Sequence, residues 1–183
     1  MGGPEPGHPS VTPLHGRERQ IGIPDGRLAP AGKPGQGPTR GLFADRLFWA
    51  ALAAGPAFWG LLLAAGAPAG PPGWILDRPA AFLGVALVYP VAEEAVFRGL
   101  IQEELARRLP PSARLGPASA SNLATSVLFS ALHLFTHAPL WAAGVLLPSL
   151  VLGFFKERHG GLAGPMVLHA SYNAGYFLLF PPA

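Results

Sequence analysis

The chain has 183 residues, enough for one domain; half of them are hydrophobic and only 13% are charged. Soluble domains carry about 25% charged residues, so a surface that mostly faces water is excluded. The formal net charge is +3, but the basic residues sit at the ends of apolar runs, which fits orientation in a membrane and not a nucleic-acid partner. The absence of cysteine excludes disulfides, thiolate metal sites, a cysteine nucleophile and S-acylation.

Residues 1–40 hold no apolar run of signal-sequence length. They are rich in Gly and Pro, as in GGPEPGHPS and PAGKPGQGPTR. Such a segment cannot bury enough apolar surface to offset its ordering entropy, and a disordered cytoplasmic tail is expected. A Pro-rich docking motif is the functional alternative, although P-x-x-P-like spacing arises by chance in so Pro-rich a stretch.

Residues 41–183 read as a membrane-embedded core. Five apolar stretches run from about Leu47 to Ala67, Ala80 to Leu105, Ser119 to Phe135, Pro139 to Phe155 and Leu162 to Phe180. A membrane helix needs about 20 residues, so the pattern predicts an all-α, multi-pass bundle of about five membrane helices, the third and fourth being short. Pro- and Gly-rich linkers separate them. With five crossings, Arg40, Arg46, Arg107, Arg108, Arg114, Lys156 and Arg158 fall on one face and Arg78 alone on the other. The positive-inside rule then puts the N-terminus in the cytoplasm and the C-terminus outside, as for a prokaryotic inner-membrane protein.

Ionisable residues occur where a bilayer disfavours them. A charge at the bilayer centre costs about 2.5–3.5 kcal/mol on insertion scales, yet the second stretch contains Glu93, Glu94 and Arg98 in PVAEEAVFRGLIQ. At i,i+4, Glu94 and Arg98 share a helix face and can pair. Glu93 points about 100° away and is left free for chemistry. The plainer alternative is the solvated end of an ordinary helix, since Gln102, Glu103 and Glu104 follow. Phe129 and His133 stand one turn apart on the third stretch, and His169 and Asn173 one turn apart on the fifth. A lone His in an apolar helix is more often a satisfied core residue. The conjunction carries the argument: three apolar helices bear polar groups, and hydrocarbon offers them no partner but one another. At about 1.5 Å per residue, Glu93, His133, His169 and Asn173 lie roughly 12–20 Å from their cytoplasmic helix ends, compatible with one pocket near mid-membrane.

E-E-x-x-x-R-G on one helix, F-x-x-x-H on a later one and H-x-x-x-N on the last resemble the CAAX protease and bacteriocin-processing (CPBP, or Abi) family of intramembrane glutamic proteases. The residues concerned are Glu93, Glu94, Arg98, His133, His169 and Asn173, and the resemblance covers about Val88 to Gly175. It implies an intramembrane endopeptidase acting on a membrane-associated protein or peptide, of the C-terminal processing or sorting-signal type. The N-terminal tail and the first apolar stretch carry no part of it.

Peptide hydrolysis needs an activated water and a donor for the developing oxyanion. Glu93 with His133 is expected to polarise the water, Glu94 and Arg98 to fix the helix face, and His169 and Asn173 to donate to the tetrahedral oxygen. No cofactor is expected. The rival is Zn²⁺ held by Glu93, His133, His169 and Asn173; against it, the H-E-x-x-H pair of common zinc peptidases is absent from the sequence, and Asn is a poor zinc ligand. Two other classes stay open: a non-catalytic immunity or scaffold membrane protein, and a proton- or ion-coupled transporter, for which five helices without an inverted repeat are few.

Overall fold

The computed structural model describes residues 1–3, 41–71 and 73–182. The expected tail, apart from its first three residues, lies outside the described residues. From residue 41 a short 3₁₀ turn, Leu42–Ala44, leads into α1 (Arg46–Ala64). A one-turn helix α2 (Trp74–Asp77) precedes α3, which runs without a break over Pro79–Arg108. A small antiparallel hairpin, β1 (Arg114–Leu115) and β2 (Ala118–Ser119), turns at Gly116 with φ 59°. Then come α4 (Ala120–His133), α5 (Pro139–His159) and α6 (Ala163–Leu179).

The all-α membrane class holds, and each expected apolar stretch becomes a helix with ends displaced by a few residues. By length and composition α1, α3 and α5 can cross a membrane, at 19, 30 and 21 residues. The expectation of about five membrane helices is met in helix number but not in length. With 14 and 17 residues, α4 and α6 span only about 21 and 26 Å at 1.5 Å per residue, less than the roughly 30 Å hydrocarbon thickness. Apolar composition extends past their ends, but α4 is stopped by the Ser119 cap and the THAP turn, and α6 by Pro181.

Helix α3 is not regular. Two π-helical segments, Gly84–Val88 and Ala95–Gln102, flank a six-residue α-helical piece, Tyr89–Glu94, that bears both glutamates. Pro90 supplies a physical reason for the first segment: it lacks an N–H, and its ring crowds the carbonyl four residues earlier, so the turn before it widens.

Small residues set the close approaches, as is usual between helices in lipid. A Cβ on Gly175 would overlap the Trp59 ring of α1, and one on Gly153 would overlap the Asn122 amide of α4. Phe48, Leu152, Phe155 and Leu168 form the apolar core joining α1, α5 and α6. Above it, Asp45 caps α1 by accepting from Leu47 N at 3.0 Å, and it also binds Arg158 and His159 at the end of α5. Arg158 holds the Asp45 carboxyl below the usual carboxylate range. Gly160, at φ 69°, then ends α5 in the left-handed conformation that glycine adopts most readily.

Candidate active site

Glu94 is fully buried on α3, and both its oxygens face polar groups. Oε2 lies 3.3 Å from Nε of Arg98, itself fully buried. The contact is an ion pair without hydrogen-bond alignment, since neither atom completes a hydrogen bond. Oε1 accepts from Nδ1 of His169 at 2.8 Å. Arg98 is held at its far end, where Nη2 donates to the Ser149 carbonyl at 2.9 Å and to Ser149 Oγ at 2.7 Å. Its guanidinium carbon stands 5.0 Å from the centre of the Phe129 ring. A buried arginine is tolerable in this setting because a carboxylate, a carbonyl, a hydroxyl and an aromatic face surround it.

Glu93 is the open member, with its side chain 38% exposed and Oε2 3.6 Å from Nε2 of His169. His169 therefore stands between the two glutamates. A carboxylate can only accept, so the bond to Glu94 places the imidazole proton on Nδ1 and turns the Nε2 lone pair toward Glu93. This separation is too long for a direct hydrogen bond. Two acceptors so placed can hold one water by its two hydrogens, leaving an oxygen lone pair directed outward.

His133 lies elsewhere in the constellation. Its Nδ1 is 2.9 Å from the Phe129 carbonyl one turn back on α4, which assigns the proton to Nδ1 and leaves Nε2 open. The connection to His169 runs through Phe129, whose ring centre is 4.6 Å from that of His133 and 5.9 Å from that of His169. Asn173 donates Nδ2 to the carbonyl of Val85 at 3.1 Å, inside the first π segment. It thereby ties α6 to the backbone of that segment.

The expected i,i+4 pairing of Glu94 with Arg98 is present, and Glu93 is the freer carboxylate. The contact Glu93 makes is with His169 and not with His133, and the Asn173 amide is engaged by backbone. The solvated-end alternative for EE-x-x-x-R fails at Gln102, which is fully buried and donates to Gly153 O at 3.2 Å and to Glu157 at 2.9 Å. The last turn is exposed, and there Glu104 pairs with Arg107 and Arg108. Among the described residues, no group of three or more His, Cys, Asp or Glu side chains is placed to hold a metal ion. With the Asn173 amide turned to Val85, the expected four-residue zinc donor set is not assembled in this arrangement.

Residues 75–175, more than half of the chain, match the family model for type II CAAX prenyl endopeptidases of the Rce1-like kind. The chain belongs to this family. No curated protein and no solved structure matches it. All six candidate residues lie inside the family stretch, while α1 precedes it. Sequence reasoning missed Ser149 and Gln102 and gave Phe129 no role. Gln102 carried a usable signal: 94, 98 and 102 are three polar positions at four-residue spacing. Ser149 carried none, because a lone Ser on an apolar helix has many explanations.

Proposed function

We propose that this CAAX-type endopeptidase family member hydrolyses a peptide bond of a membrane-associated protein or peptide, through a water activated by Glu93 and His169. The observation that supports this reading is His169 bridging the two glutamates, Nδ1 on buried Glu94 and Nε2 toward half-open Glu93. Glu93 is the general base. It takes a proton from the water as the oxygen attacks the scissile carbonyl, and it later returns that proton to the leaving amine. Glu94 fixes the tautomer and orientation of His169, and Arg98 balances the buried carboxylate. The open Nε2 of His133, once protonated, is a donor for the tetrahedral oxygen. Asn173 supports the backbone of α3 at Val85, about two turns before Glu93. No step requires a cofactor.

The setting is the cell membrane, with the N-terminus cytoplasmic. A reporter fused after Ala183 is expected to read the outer side, and one near Gly3 the cytoplasm; both ends on one side would overturn this orientation. The activity is tested with purified protein in lipid, using reporter substrates with a lipidated C-terminal peptide or a membrane-anchored sorting segment. Cleavage by wild type and its loss in Glu93→Gln are expected. Binding without cleavage, or substrate movement without hydrolysis, would instead identify a scaffold or a transporter.

A further inference from the structure

Helix α5 carries none of the six candidate residues, yet it meets the site through one side chain. We propose that Ser149 is a positioning residue that sets, through Arg98, how much of the Glu94 carboxylate is left for His169. This inference rests on the hydrolytic reading given above.

Glu94 is shared. One oxygen holds the imidazole at 2.8 Å and the other faces Arg98 Nε at 3.3 Å, without hydrogen-bond alignment. Arg and carboxylate ordinarily close a two-point fork. Here they do not, because Nη2, which could supply the second point, is engaged by Ser149 through both Oγ and O. Ser149 is itself 1% exposed. The guanidinium is thus held in a line from Ser149 to Glu94 with the Phe129 ring against its face. In Ser149→Ala the carbonyl remains, but one buried Nη2 proton loses its acceptor. A charged donor left unsatisfied in the interior is costly. The nearest remedy is rotation of the guanidinium toward Glu94, which closes the fork and draws the carboxylate from His169. The imidazole then loses the bond that fixes its tautomer and its aim at Glu93.

The polar stripe continues in the same sense. Positions 98 and 102 of α3 face 149, 153 and 157 of α5, with Gln102 bonded to Gly153 O and Glu157. Lower on the stripe the bonds hold the helices in register. At Ser149 alone the bond ends on a group that touches the site.

The test uses full-length protein in lipid nanodiscs, with two readouts. For Ser149→Ala, kcat per folded enzyme is expected to fall by about 10–10²-fold, the scale of a slight misplacement of reacting groups, with KM changed less than about 2-fold. Ser149→Thr, which keeps the hydroxyl, is expected to restore kcat to within about 2-fold of wild type. Independently of any substrate, the His169 Nδ1–H proton resonance is expected to shift in Ser149→Ala and to return in Ser149→Thr. If wild type cleaves nothing while the resonance behaves as expected, the hydrolytic reading fails and the positioning role stands. If Ser149→Ala does not fold, Ser149→Cys, with a weak acceptor of similar size, takes its place under the same expectations. Unchanged kcat and an unmoved resonance in a folded variant would overturn the proposal.

Discussion

Adjacent glutamates with different partners should respond differently to the same substitution. Glu94→Gln removes the charge facing Arg98, both groups being 0% exposed. Arg98 keeps Ser149 and the Phe129 face but has no counter-charge. Breaking a buried pair in this way costs about 3–5 kcal/mol. At roughly 2–4 °C per kcal/mol for a chain of this size, Tm should fall by about 6–20 °C. Activity per folded enzyme should fall as well, because the 2.8 Å bond from His169 loses its anionic acceptor. Glu93→Gln is nearly isosteric, partly exposed and loses only a 3.6 Å contact. Its effect on stability should stay below about 1 kcal/mol, as for an exposed pair, while cleavage falls by at least about 10²-fold, the lower bound for loss of a general base. The assay pairs thermal unfolding in detergent with cleavage rate per folded enzyme. A Glu93→Gln variant that cleaves near the normal rate would refute the base assignment. A Glu94→Gln variant as stable as wild type would refute the buried pair.

Three further outcomes follow from the same geometry. His169→Ala should match Glu93→Gln in lost activity, and the double variant should lose little more than either alone, since groups acting on one water are not additive; multiplicative losses would separate them. Asp45 has a carboxyl lowered below its ordinary value of 3.8, so its native contacts stabilise the fold above about pH 4, and that contribution disappears as pH falls through the lowered value. The stability gap between wild type and Asp45→Asn should therefore be widest at neutral pH and close in acid; a gap constant from pH 7 to pH 3 would contradict this. Strong chelators should leave cleavage by purified enzyme unaffected, whereas activity lost on zinc removal and restored by zinc would reinstate the metal reading.

Much of this arrangement is legible in the sequence because it depends on local periodicity. A 19-residue run whose only charge is Arg46, at its start, announces α1, and the four-residue spacing of Glu94 and Arg98 announces their pairing. What is hidden depends on departures from regular spacing and on packing between helices. Counting at 100° per residue passes over the two π segments of α3, the first of which has a local cue in Pro90. Whether Glu93 meets His133 or His169 is set by how α4 and α6 dock. That docking turns on fits such as Trp59 against Gly175 and Asn122 against Gly153, which no single-helix pattern encodes. The two short helices have the apolar pattern of spans because apolar composition extends beyond the residues that are helical.

Helix α1 lies ahead of the family stretch, yet it braces the helix that carries His169. Tyr172, three residues beyond His169, donates to the Ala51 carbonyl at 2.7 Å, Trp59 fills the notch at Gly175, and Asp45 locks the start of α1 to Arg158 and His159. A fragment beginning at residue 75 would keep every candidate residue and lose the brace that aims one of them.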